Sequence, residues 1–174
     1  MISEKIQQML NDQLQKEFYS SYLYLSMDAY FKSLDLDGFA NFFDVQAKEE
    51  RDHAMKIYNY INDVGGKIVL KQIDAPKVDF ESIEEVFRLS LEHEQFITRS
   101  IHELADAALA EKDQATYSFL QWFITEQIEE EANADRNIKR FKLVGNDGRG
   151  ILMLDAELAQ RVYTPMIPEG GQNW

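Results

Sequence analysis

The sequence predicts an all-α protein, a four-helix bundle with one long crossover and a short fifth helix near its C-terminal end. Three observations predict it. Apolar residues recur near a 3.6-residue period through five stretches. Only three prolines and eight glycines occur in 174 residues, so long helices can run uninterrupted. The connections are short between the first and second stretches and between the third and fourth, but long between the second and third.

The first stretch runs from about Ser3 to Lys32, with Ile6, Leu10, Leu14, Ser21 and Leu25 expected along its inner stripe. The second runs from about Asp37 to Val64 with Phe39, Phe43, Ala47, Ala54, Ile57 and Ile61, and Gly65-Gly66 stops it. The third opens near Ser82, where Ser82-Ile83-Glu84-Glu85 has the spacing of a capping box, and continues to about Ala110 through Phe87, Ser90, Ile97, Ile101 and Leu104. The fourth runs from about Asp113 to Val144 through Phe119, Phe123, Ala134, Ile138 and Phe141, and Gly145-Asn146-Asp147-Gly148 breaks it. The fifth spans about Gly150 to Val162, with Leu154, Leu158 and Val162 on one side. The tail from Tyr163 to Trp174 holds two prolines and two glycines and is expected to be irregular. All of this forms one domain over residues 1–174.

Loop lengths set the topology. Ser33 to Leu36 and Glu111-Lys112 each close an antiparallel hairpin. Gly65 to Phe80, fully extended, reaches roughly 50 Å, more than the ~42 Å length of a helix of this size. The second and third helices can therefore run parallel. Lys67 to Ile73 within this crossover has strand-like character, suited to pairing with its own copy across a dimer axis.

The hairpins put chemistry at one depth. In an antiparallel hairpin, residues equidistant from the turn share a level. Glu17 and Glu50 are 33 residues apart with their midpoint at Ser33/Leu34, and Glu94 and Gln127 are also 33 apart with theirs at Ala110/Glu111. All four fall on the apolar stripes. His53 follows Glu50 by three residues and Glu130 follows Gln127 by three, which keeps each pair on one helical face. The interior is thus predicted to hold Glu17, Glu50, His53, Glu94, Gln127 and Glu130. Four carboxylates cannot stay ionised together in an apolar core, so they are either partly protonated or neutralised by cations. Two divalent ions balance four negative charges. Oxygen donors with one imidazole suit iron, manganese or zinc.

Composition narrows the class. Eighteen basic against 31 acidic residues give a formal charge of −13, which suits cations and argues against a nucleic-acid groove or an anionic membrane surface. The absence of cysteine excludes disulfides and zinc-thiolate sites. No run approaches ~18 consecutive apolar residues, and Met1 to Lys5 opens directly into amphipathic sequence, so a cytoplasmic protein is expected.

Gln15-Lys16-Glu17, Lys48-Glu49-Glu50-Arg51-Asp52-His53, Glu92-His93-Glu94 and Thr125-Glu126-Gln127-Ile128-Glu129-Glu130-Glu131 together resemble the prokaryotic non-haem ferritins, and the likeness extends from Ile2 to about Val162. A Glu from each of two helices with a Glu-x-x-His from each of the other two is the pattern of ferritin-like di-iron bundles. This chain departs from it in one half, where Gln127-x-x-Glu130 replaces the second Glu-x-x-His.

The resemblance implies iron storage with ferroxidase activity, in which Fe(II) is oxidised by dioxygen and ferric mineral is kept inside a 24-subunit shell. It implies a first iron at Glu17, Glu50 and His53, and a second at Glu50, Glu94 and Glu130, with Glu50 bridging and Gln127 beside it. It further implies a third iron site at Glu49, Glu126 and Glu129, sharing Glu130, and a redox role for Tyr24. Haem is not expected, because Asp52 stands where bacterioferritins carry a methionine. Tyr117 and Leu120 stand where animal ferritins place channel carboxylates. Trp122 reads as packing, and His93 and His102 read as surface residues. Two other readings are open from the sequence: a metal-free interaction bundle, and a di-iron oxygenase acting on an organic substrate.

Overall fold

The structure is a computed structural model and describes residues 2–166. Its elements are α1 (Glu4–Ser33), α2 (Asp37–Asp63), α3 (Ile83–Ala110), α4 (Gln114–Val144) and α5 (Gly148–Leu158). Helix ends follow local chemistry. Ser3 Oγ caps α1 through Ile6 N, Asp113 caps α4 through Thr116 N, and Asp147 caps α5 through Gly150 N. Ser82 caps α3 through Glu85 N at 3.1 Å. The return half of that capping box slips by one residue, because Glu85 Oε2 accepts from Glu81 N.

α1 pairs with α2 and α3 with α4. Across the bundle, Gln13 meets Ser100, Ser20 meets His93, and Phe31 meets Phe87. Rising numbers on α1 match falling numbers on α3, so these two run antiparallel and α2 and α3 run parallel, as the long crossover allows. The crossover has no regular structure. Side chains of α1 hold its first residues: Gln7 Oε1 accepts from Lys67 N, Asn11 Oδ1 accepts from Val69 N, and Asn11 Nδ2 donates to the Lys67 carbonyl.

The core is two apolar clusters. One gathers Ile6, Leu10, Leu14, Ala54, Ile57, Ile61, Ile97, Ile101 and Phe123. The other gathers Tyr24, Met27, Phe31, Phe39, Phe43, Phe87 and Ile138. Between them lies a polar layer. The inner stripe of α1 differs from the sequence expectation in its second half: it follows Glu17, Ser20, Tyr24, Met27 and Phe31, while Ser21 is half-buried and Leu25 is 44% exposed. Stepping seven residues from Leu14 to Ser21 loses about 20° of helix phase, enough to turn the stripe outward.

α5 begins two residues earlier than expected and stops at Leu158, because Asp147 caps it and the side chain of Asn41 takes the carbonyls of Leu158, Ala159 and Arg161. Its Ile151, Leu154 and Leu158 fold back onto the second cluster of the same subunit, leaving Leu152 and Met153 exposed. It also completes α2. Leu36, at the N-cap of α2, offers no side-chain bond, and Asp155 Oδ1 accepts from Phe39 N at 2.9 Å instead. This docking requires Gly38, since a β-carbon there would lie 1.7 Å from the Asp155 carbonyl oxygen. No described helix is long and apolar enough to cross a membrane.

Gly38→Ala forces α5 away from α2 and removes the Asp155 cap. The expected cost is about 1–3 kcal/mol, read as a thermal midpoint several degrees lower. An unchanged midpoint contradicts this packing.

Candidate metal centre

The polar layer brings together all six interior residues named from the sequence. Glu17 (α1), Glu50 and His53 (α2), Glu94 (α3), and Gln127 and Glu130 (α4) are all buried. Each helix contributes at the level set by its distance from a turn.

Two groups of side chains can each converge on one cation: Glu17 with Glu50 and His53, and His53 with Glu126 and Glu130. His53 Nδ1 lies 3.5 Å from Glu50 Oε2 and 4.0 Å from Glu17 Oε2. Glu17 Oε2 and Glu50 Oε1 are buried with no hydrogen-bond partner. Buried carboxylate oxygens without donors are costly, and they mark positions where a cation fits.

The surrounding bonds orient the donors. Gln13 Nε2 donates to Glu17 Oε1 at 2.6 Å, and Gln13 is itself fixed by the Ser100 hydroxyl, which donates to its Oε1 at 2.6 Å while accepting from Lys16. Gln46 Nε2 donates to Glu130 Oε2 at 2.9 Å. Gln127 Nε2 donates to Glu94 Oε2 at 3.0 Å, and the Tyr24 hydroxyl donates to Glu94 Oε1. Both Glu94 oxygens are therefore hydrogen-bonded, and Glu94 joins neither converging group. The amide of Gln127 supplies a neutral donor where a second carboxylate would add repulsion.

Electrostatics agree with the geometry. Burial raises Glu17 above the usual carboxylate range. Burial, followed by repulsion from Glu17 and Glu130, holds Glu50 well above it. Burial, followed by Glu50 and Glu130, does the same to Glu94. Burial and the neighbouring Glu94 and Glu50 keep Tyr24 protonated, so its hydroxyl stays a donor. Burial also raises Glu49, against the pull of Arg161, and raises Glu126.

The outer carboxylates are less uniform. Glu126 reaches the His53–Glu130 group, Glu129 is exposed, and Glu49 is ion-paired to Arg161 at 2.5 Å. His93 is not a surface residue: it is half-buried, its Nε2 lies 2.7 Å from Ser20 Oγ, and burial lowers its pKa to about 4. His102 is exposed as expected. Leu120 is fully buried, so it lines no channel. Asp52 accepts from the Tyr163 hydroxyl and from Met166 N.

Two supporting residues escaped the sequence reading. Gln13 and Gln46 each precede a ligand candidate by four residues on the same helical face, a spacing that was available. The Trp122 ring stands edge-on to His53 at 5.4 Å and shields it, so Trp122 packs on the centre itself.

A family model for the ferritin-like domain matches residues 7–144. The chain is 44% identical over 163 residues to a bacterial non-heme ferritin of Staphylococcus aureus, covering 94% of this chain and 98% of that protein. It is 42% identical, over the same coverage, to one from Staphylococcus haemolyticus. Among solved structures, an engineered closed form of the Archaeoglobus fulgidus ferritin superposes with TM-score 0.93 at 44% identity, over 94% of this chain and all of that one. A humanized archaeal ferritin superposes with TM-score 0.94 at 47% identity, over 95% of this chain and all of that one.

The raised carboxyl at Glu50 carries a pH signature. Its folded value lies above its unfolded value, so its contribution to stability is complete below the unfolded carboxylate pKa and is lost as pH rises through the folded value. In metal-free protein, Glu50→Gln should therefore gain thermal stability over wild type between pH 5 and pH 8, and saturating divalent cation should reverse the order. A difference that does not vary with pH contradicts the assignment.

Proposed function

The chain belongs to the ferritin family and is an iron-storage protein with ferroxidase activity, and we propose that Glu17, Glu50, His53, Glu94 and Glu130 hold its two Fe(II) ions. The carrying observation is a pair of buried carboxylate oxygens without hydrogen-bond partners, Glu17 Oε2 and Glu50 Oε1, on the two residues whose carboxylates approach His53 Nδ1 to 4.0 Å and 3.5 Å. The first iron lies among Glu17, Glu50 and His53. The second lies between Glu50 and Glu130, with Glu94 completing it once iron draws its carboxylate from Tyr24 and Gln127. One ring nitrogen serves one ion, so His53 belongs to the first iron and Glu126 is left for a cation farther out.

Iron is the substrate. Dioxygen takes one electron from each Fe(II), and carboxylate ligands favour the ferric product. The protein supplies fixed donors and a water-poor layer between two apolar clusters. Gln13 and Gln46 keep one oxygen of Glu17 and of Glu130 engaged, so the other oxygen of each is directed at metal. The hydrogen bond from the Tyr24 hydroxyl to Glu94 supports a redox role for Tyr24 beside the second iron.

A third iron site at Glu49, Glu126 and Glu129, sharing Glu130, is supported by the approach of Glu126 to Glu130. The resemblance to bacterial non-haem ferritins extends this reading to a homo-24-mer in the cytoplasm that takes no haem. Exposed Leu70, Leu143, Leu152 and Met153 are apolar surface suited to burial between copies.

Aerobic Fe(II) addition should drive oxygen uptake in wild type and be slowed at least about tenfold in Glu50→Ala and in His53→Ala. Equal rates in all three would remove the assignment. Size-exclusion chromatography should place the assembled protein near about half a megadalton, from a subunit of 20.3 kDa. Elution as a monomer or dimer contradicts the shell.

A further inference from the structure

Residues 159–166, which follow α5, stay on their own subunit. They run along α2 as a strap, fixed at both ends. Asn41 Nδ2 donates to the carbonyls of Leu158 (3.2 Å), Ala159 (3.4 Å) and Arg161 (2.9 Å). At the far end, the Tyr163 hydroxyl (2.7 Å) and Met166 N (3.1 Å) donate to Asp52 Oδ2. Asn41 and Asp52 are about 16 Å apart along the helix at its usual rise, a span five extended residues cover.

Arg161 sits between these anchors. Its guanidinium carbon lies 4.6 Å from the centre of the Phe42 ring, and its Nη1 donates to the Phe42 carbonyl at 3.5 Å. Its Nη2 reaches Glu49 Oε2 at 2.5 Å. Both side chains of this ion pair are about three-quarters buried, at 23% and 27% exposure. An exposed pair of flexible side chains would contribute little. Here the cation is stacked, bonded and carried on a tethered strap, so it meets Glu49 at high effective concentration. Meanwhile Glu49, one residue from Glu50, joins neither of the groups that converge on a cation.

We propose that Arg161 is a positioning residue that acts as an internal counter-ion, competing with iron for Glu49 and so keeping the third site weak. This rests on the third-site reading given above. A guanidinium is not deprotonated at any working pH, so only another cation can take its place. A divalent ion reaching Glu126 and Glu130 gains Glu49 by displacing Arg161, and while Arg161 stays, the ion faces a like charge nearby. The effect suits a site that an ion must occupy and then leave.

The test is calorimetric titration of the metal-free assembled protein with Zn(II), reading the weakest class of sites. Arg161→Gln should tighten that class at least about tenfold, as expected when a like charge is removed from a partly screened site. Arg161→Lys, which keeps the charge but not the planar fork, should tighten it less. Asn41→Ala, which frees the strap and leaves every charge in place, should also tighten it, and it carries the test if Arg161→Gln does not assemble. Glu49→Gln should abolish the weak class with or without Arg161. If the weak class exists and is lost in Glu49→Gln but is unchanged in Arg161→Gln and Asn41→Ala, the pair is only a latch: the inference falls and the third site stands. If only the two tight sites titrate in every variant, the third site falls and takes the inference with it.

Discussion

The burial of several acidic side chains in one layer of a helical bundle is the constraint around which this molecule is organised. Glu17, Glu50, Glu94 and Glu130 are each 5% exposed or less. No apolar core tolerates four ionised carboxylates without compensation, and protonating them is the only alternative to bound cations. The fold makes the layer possible by dividing its hydrophobic core in two. Each half supplies ordinary apolar packing, and the layer between them is held in register by both. Stability is thus located above and below the chemistry, so donors in the middle can remain unsatisfied.

Hydrogen bonding decides which oxygens are free. Neutral amides do most of this: Gln13 on Glu17, Gln46 on Glu130, Gln127 on Glu94. An amide can orient a carboxylate without adding charge, whereas a lysine or arginine in the same place would neutralise it and close the centre. Arg161 pairs instead with Glu49, which stands outside both groups that converge on a cation, so its charge leaves those groups un-neutralised.

Much of this was legible in the sequence, and the limits are physical. Equal 33-residue spacings about two short turns located the layer, because antiparallel geometry converts sequence distance into depth. The stripe of α1 drifted past Leu14, because a seven-residue step does not match 3.6 residues per turn, and Leu25 was placed inside when Tyr24 and Met27 are. α5 lays Leu154 and Leu158 on its own bundle and brings Asp155 to the N-terminus of α2, which Leu36 does not cap, a pairing across 116 residues that no local pattern shows. His93 looked like a surface residue beside Glu94, yet Ser20 and the rings of Tyr19 and Tyr24 enclose it. The Arg161–Glu49 pair joins residues 112 positions apart through a strap with no helical period, and no local pattern announces it.

The central claim, that the acidic layer exists to hold cations, is tested most directly by anomalous diffraction from metal-free crystals soaked anaerobically in Fe(II). The account predicts two iron peaks inside the layer, one bounded by Glu17, Glu50 and His53 and the other by Glu50, Glu94 and Glu130, with both Glu94 bonds rearranged. A layer that shows no anomalous density, its carboxyls protonated and bonded to one another, would contradict it.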